Sequence, residues 1–156
     1  MLTTLLELIS ALAIVVAVIQ LTREVRSSSV QSLFYLHQYL AQDTFSHARK
    51  VVRTQLCNKP YADWTGEDRD AANRVCASYD QAGLLMGTGV IPKRVKRLFL
   101  ASSWGNSICD QYESLVPFLD DQQTPTLTGR EFFRHFSWLY LEAQGIHRSG
   151  VPADAH

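Results

Sequence analysis

The sequence predicts an all-α protein in which one N-terminal transmembrane helix precedes a compact cytoplasmic bundle of about five helices. Residues 2–21 form an apolar span, about 30 Å long as a helix, which matches the hydrocarbon thickness of a bilayer. After this span, apolar residues recur at the three- and four-residue spacing of helices, and no stretch alternates long enough to predict a strand. We therefore divide the chain into an anchor (1–26), a helical domain (27–146) and a mobile tail (147–156).

The apolar span is interpreted as a membrane anchor. A cleaved signal peptide needs a positively charged start, but the first basic residue of this chain is Arg23. The alternative is a buried or dimerisation helix of a soluble protein, which Glu7 leaves open. Arg23 and Arg26 follow the span directly, and cytoplasmic flanks are enriched in such residues. We expect a single-pass protein of the inner membrane with its N-terminus outside and its domain in the cytoplasm.

One face of the anchor is small and polar. Transmembrane helices associate through small residues that permit close approach and through polar side chains that form interhelical hydrogen bonds. This face therefore predicts contact with other membrane-protein subunits, or with a second copy of the chain. At 100° per residue its members are Glu7, Ser10, Ala13, Ala17 and Gln20.

Four of the predicted helices carry an apolar stripe that predicts the face turned to the core. In chain order the stripes are Val30, Leu33, Phe34, His37 and Leu40; Phe45, Ala48, Val51, Val52 and Leu56; Ala72, Val75, Cys76, Tyr79, Gly83 and Met86; and Phe132, Phe136, Leu139, Tyr140 and Ala143.

Capping and breaking residues predict where these helices begin and end. Expected starts are Asp43 or Thr44, Thr65 with Asp68 as a capping box, Pro92 and Thr128. Expected ends are Asn58 to Pro60, Gly87 with Gly89, and Gly145; a helix from about Trp104 is expected to kink or close at Pro117.

The short helix after Pro92 carries a basic cluster. Its charged members are Lys93, Arg94, Lys96 and Arg97. With Val95, Leu98 and Phe99 as an apolar side, this helix would rest on the anionic inner leaflet of the bilayer. The alternative is a solvated face. Nucleic acid is not expected as a partner, because 15 basic residues balance 15 acidic residues over the whole chain.

A series of short motifs in a fixed order carries a family resemblance. The motifs are Lys59-Pro60-Tyr61 with Trp64, Val75-Cys76 with Tyr79-Asp80 and Gly83, Gly89 with Ile91-Pro92, Trp104-Gly105 with Ser107-Ile108, Leu115 with Pro117-Phe118, and His135-Phe136 with Trp138-Leu139. Over residues 32–141 the chain resembles a bacterial family of small, mostly membrane-anchored helical proteins, a domain of unknown function. The resemblance implies a helical domain on an N-terminal anchor and brings no activity with it.

No catalytic, cofactor or metal site is predicted. Asp80 and His135 lie at the edges of apolar stripes, and we expect them to be hydrogen-bonded structural groups with an Arg or Trp N–H as partner. The cysteines, Cys57, Cys76 and Cys109, show no CxxC motif and are typical of reduced cytoplasmic thiols. A nucleophilic pair of Cys76 or Cys109 with His135 has no supporting motif, and no HxxxH spacing indicates a metal.

These observations favour a non-enzymatic accessory or stabilising subunit of a larger inner-membrane protein complex. One alternative is a self-associating, membrane-tethered sensor or regulator. Another is an enzyme that uses Asp80 or His135.

Overall fold

The computed structural model describes Gln20 and residues 30–89, 91–122 and 132–149. Within these ranges the chain forms six helices and no strand, which confirms the all-α class. The helices are α1 (30–40), α2 (Asp43–Thr54), α3 (Gly66–Gly87), α4 (Lys93–Ala101), α5 (Ser103–Gln122) and α6 (Arg134–Arg148). Two short 3₁₀ turns, Leu56–Asn58 and Tyr61–Asp63, connect α2 to α3.

The predicted anchor lies outside the described residues, apart from Gln20, which is helical and exposed. In the part of the chain that the structure does describe, no helix combines the length and the apolar character needed to cross a bilayer. The predicted contacts of this anchor face with a partner helix therefore remain predictions for all five residues, Glu7, Ser10, Ala13, Ala17 and Gln20.

Helix α3 runs through the middle of the bundle and contacts α2, α5 and α6. Its predicted inward stripe is confirmed, because every member from Ala72 to Met86 is buried. The predicted capping box is confirmed as well: Thr65 Oγ1 accepts from the backbone N–H of Asp68, whose carboxylate accepts from the backbone N–H of Thr65 at 2.8 Å. In the core, the Tyr79 ring stacks on Phe136 of α6 with 5.1 Å between centroids.

Two glycines permit close backbone contacts that position these helices. A Cβ atom on Gly83 would overlap the backbone carbonyl of His135, so α3 and α6 approach as closely as they do because Gly83 has no side chain. A Cβ atom on Gly105 would likewise overlap the carbonyl of Leu100, where the chain turns sharply from α4 into α5.

The predicted core face of α1 is partly wrong. Leu36 and Leu40 are buried, but Val30 and Phe34 are exposed, and so is His37. Helical spacing alone favoured Val30 and Phe34 as strongly as Leu40. Which of these residues is buried depends on the other helices, and they cover the side of α1 that carries Leu36.

Several predicted helix ends are also corrected. Asp43 is the first residue of α2 rather than its cap, and Gln42 precedes it without a side-chain cap. Helix α5 continues through Pro117 to Gln122, because Phe118 and Leu119 beyond it are buried and hold the last turn in place. Gly145 lies inside α6, which ends at Arg148, so the first residues of the predicted tail are helical.

The start of α6 differs from the predicted one. The proposed cap, Thr128, lies outside the described residues, and α6 begins at Arg134. Phe132 precedes the helix and is half exposed rather than part of the core. Phe133 adopts a left-handed conformation at φ 55° and supplies no side-chain cap.

Candidate functional site: the exposed faces of α1 and the basic helix α4

Helix α1 exposes large apolar side chains on the surface of the bundle. Val30, Phe34 and Tyr35 are 67%, 63% and 68% exposed, whereas Leu36 and Leu40 are buried. A helix with apolar side chains on several sides is usually covered by other groups on several sides. The bundle covers only one side of α1, so the remaining apolar surface marks a candidate interaction site.

The exposed residues fall on two separate faces of α1. At 100° per residue, Val30 and Phe34 lie on one side of the buried stripe, and we call them the outer α1 face. Tyr35 and Tyr39 lie on the other side of the stripe. Each face is therefore open to a different neighbour.

Tyr35 and Tyr39 border a cavity of about 570 Å³, here called the α1 groove. This volume is within the usual range of small-molecule sites. Its lining residues come from α1, from the end of α3 and from the segment before α4: Ser32, Tyr35, Leu36, Gln38, Tyr39, Gln42, Gln81, Leu85 and Ile91. The polar groups among them are hydroxyls and amides, so the groove is suited to an occupant that is apolar along most of its length. Burial raises the pKa of Tyr39.

The predicted basic cluster begins two residues after the groove residue Ile91. Lys93, Arg94 and Arg97 are exposed. Lys96 is engaged instead, since its Nζ lies 2.8 Å from Glu142 Oε2 and 4.8 Å from the centroid of the Trp138 ring.

The apolar side predicted for α4 is only partly correct. Phe99 is buried and Val95 packs against the core, but Leu98 is exposed. Leu98 therefore adds apolar surface beside the basic residues.

Asp80 has a structural partner that the sequence did not reveal. Its Oδ1 accepts hydrogen bonds from the backbone N–H groups of His135 at 2.8 Å and Phe136 at 3.2 Å. The expected Arg or Trp partner is therefore wrong, although Asp80 is hydrogen-bonded as expected. These N–H groups belong to the first turn of α6, so an α3 carboxylate caps a helix that lacks a cap of its own.

The His135 side chain is half-buried and lies beside its neighbour in sequence. Arg134 Nε donates to His135 Nε2 at 3.3 Å. The structure thus brings Asp80 and His135 together through the His135 backbone, not through an acid–base pair of side chains.

The thiols of Cys76 and Cys109 are not activated. Cys76 is buried, and burial raises the pKa of its thiol, an effect that the nearby charge of Asp80 reinforces. Burial also raises the pKa of Cys109. Cys57 is exposed and donates from Sγ to the Arg53 carbonyl. A raised pKa leaves little thiolate at neutral pH, which disfavours the nucleophilic pairs with His135.

Arg49 is a buried residue that sequence reasoning missed. Its guanidinium donates to the carbonyl of Leu40 at the end of α1 and lies 5.3 Å from the ring centroid of Trp104. Trp104 Nε1 in turn donates to His37 Nδ1 of α1 at 3.2 Å. Together these contacts fix α1 on the bundle. The sequence did contain a signal for this burial, because Arg49 lies three residues before Val52 and therefore on the inward face of α2.

Within the described ranges, no three His, Cys, Asp or Glu side chains are grouped so that they could hold a metal ion. The described part of the chain is a helical bundle that exposes apolar side chains on α1 and basic side chains on α4. No protein-family model, curated protein or solved structure shows significant similarity to this chain. The family resemblance stays a hypothesis, and the function is argued from the geometry of the site.

Proposed function

We propose that this chain is a single-pass inner-membrane protein that acts as an accessory or stabilising subunit of a larger membrane-protein complex. The observation that carries the proposal is the outer α1 face: Val30 and Phe34 are about two-thirds exposed on a helix that is otherwise fixed to the bundle. Exposed aromatic and aliphatic side chains on a rigid helix are typical of protein interfaces.

The position of this face in the chain supports a membrane-protein partner. Eight residues separate Leu21, the end of the apolar span, from Val30. Even a fully extended connection of this length spans only about 30 Å, so the outer α1 face would stay close to the bilayer surface. The small, polar side of the anchor, around Ala13 and Ala17, would contact the same partner within the membrane.

The chemistry of the described polar groups supports a binding role over catalysis. Asp80 Oδ1 is occupied by two backbone N–H groups, and the Cys76 thiol is held in its protonated form by burial. Neither Asp80 Oδ1 nor Cys76 Sγ is therefore presented as a free base or nucleophile to a substrate in a cleft.

Affinity purification of the full chain from its native membranes in mild detergent tests the proposal. Phe34→Glu should reduce recovery of the partner subunit by about tenfold or more, because aromatic residues at interfaces often contribute 2 kcal/mol or more. Leu141→Glu is the matched control, since Leu141 on α6 is equally exposed at 63%.

Recovery of the same partner with Phe34→Glu as with the wild type would contradict the proposal. Recovery of only further copies of this chain, lost in Phe34→Glu, would favour the self-associating sensor or regulator instead.

A further inference from the structure

The α1 groove is apolar along its floor and uncharged at its rim. Leu36 lies at the floor, and Leu85 and Ile91 close the side opposite α1. The rim carries the Tyr35 hydroxyl and the amides of Gln38 and Gln81. An occupant should therefore be apolar along most of its length.

Positive charge follows closely in the chain after Ile91, one of the residues that line this groove. Ile91 lines the groove, and Lys93 follows two residues later, so their Cα atoms are at most about 8 Å apart. Lys93 and Arg94 are exposed and form no ion pair within the described residues, in contrast to Lys96 with Glu142. The first turn of α4 contains no acidic residue to offset the two cations. An occupant with an anionic group at one end would complement this arrangement.

The location favours a lipid over a peptide with an acidic end. If the proposed anchor spans the bilayer, the short connection from Leu21 to Val30 keeps the groove near the inner leaflet. Lipids are then present at a high local concentration, and cations near an anionic leaflet are attracted to its headgroups.

We infer that the α1 groove binds one anionic phospholipid of the inner leaflet, with an acyl chain along Leu36, Leu85 and Ile91 and the headgroup phosphate near Lys93 and Arg94. This inference rests on the proposed membrane tether. It uses the opposite side of α1 from the outer α1 face, so partner binding and lipid binding are separable.

Native mass spectrometry of the delipidated full chain in neutral detergent tests the inference, with dioleoylphosphatidylglycerol and dioleoylphosphatidylcholine as probes. The wild type should bind one phosphatidylglycerol, at least tenfold more tightly than phosphatidylcholine. Lys93→Gln with Arg94→Gln should weaken phosphatidylglycerol binding by about 25-fold, at roughly fivefold per charge. It should weaken phosphatidylcholine binding much less, because the choline cation offsets the charge of the phosphate. Lys50→Gln with Arg53→Gln removes two exposed charges from α2 and should leave both affinities within twofold of the wild type.

A second pair of variants tests the groove itself. Leu85→Trp fills the groove and should weaken binding of both lipids by tenfold or more. Leu84→Trp is the control, because Leu84 is equally exposed (39% against 38%) but does not line the groove. Circular dichroism should show the same helix content in both variants.

Unchanged phosphatidylglycerol binding in Leu85→Trp and in the Lys93/Arg94 variant would overturn the inference. If Leu85→Trp retained lipid but lost the co-purifying partner, or changed the oligomeric mass, the groove would hold a protein helix or a second copy. If Phe34→Glu lost the partner and Leu85→Trp kept it, the partner would bind outside the α1 groove. A failure of the lipid inference would then leave the proposed function standing.

Discussion

At the scale of single residues, Asp80 shows how a polar side chain beside the core is used. The first turn of α6 has unpaired backbone N–H groups, and Phe133 before it offers no capping side chain. Asp80 reaches these groups from α3, and its negative charge at the positive end of the α6 dipole adds to the hydrogen bonds. The carboxylate thereby joins two helices through Asp80 and His135, which are 55 residues apart along the chain.

We expect Asp80→Ala to lower the free energy of unfolding by about 1 to 3 kcal/mol. The change leaves the partly buried N–H of His135 without its acceptor, and the N–H of Phe136 keeps only the Phe133 carbonyl. Asp80→Asn keeps an acceptor oxygen and should lose about 1 kcal/mol or less. Urea titrations of the full chain in detergent measure both, with Asp70→Ala, an exposed acidic residue of the same helix, as the control. Full stability of Asp80→Ala together with lost cellular function would instead favour the enzyme hypothesis.

At the scale of helices, the α3–α6 contact depends on a glycine. The backbone of His135 occupies the space that a Cβ atom on Gly83 would need, and neither helix can shift without moving the Tyr79–Phe136 stack. The two helices therefore have to separate if any side chain is placed at this position.

Gly83→Ala should destabilise the protein by about 2 kcal/mol, the usual cost of overfilling a packed interior. Gly87→Ala is the matched control at the end of the same helix, since a Cβ atom there meets nothing within 4 Å, and it should be neutral or slightly stabilising. Thermal unfolding measures both. Equal melting temperatures for the two variants would contradict the close-approach argument.

Local patterns predicted the helices best where local chemistry sets their structure. The α3 stripe and the Thr65–Asp68 capping box were both predicted correctly, because periodicity and a four-residue cap are contained in the segment itself. The start of α6 was not predicted, because its cap comes from Asp80 on another helix.

The candidate site was predictable only in part, for a similar reason. The basic run was visible in the sequence as a charge cluster. The sequence did not show that Lys96 is paired while Lys93 stays exposed, because the partner of Lys96 is Glu142, 46 residues further on. The α1 groove brings Tyr35 beside Leu85, and no spacing in the sequence connects them.

At the scale of the whole molecule, α1 is the element that would join the anchor to the bundle. Arg49 fixes it through the buried Leu40 carbonyl and Trp104 through the exposed His37, and the outer α1 face is left exposed. A docked partner would therefore contact both the proposed membrane anchor and a helix rigidly attached to the domain.

The proposed orientation rests on the basic residues that follow the proposed anchor. With Arg23 and Arg26 on the inner side, the exposed Cys57 should react with a membrane-impermeant maleimide only after the inner membrane is permeabilised. Cys57→Ser should remove most of this labelling, since Cys76 is buried, Cys109 is half-buried, and burial raises the pKa of both thiols. Labelling of Cys57 in intact cells would place the domain outside.

Site-specific photo-crosslinking in native membranes tests the central claim most directly. A photoreactive phenylalanine analogue at Phe34 should crosslink to one membrane protein other than this chain, because the outer α1 face would be covered in the complex. The same analogue at Leu141, equally exposed on α6, should give no such product. Equal crosslinking at both positions, or no protein product at Phe34, would contradict a role as an accessory subunit that docks through α1.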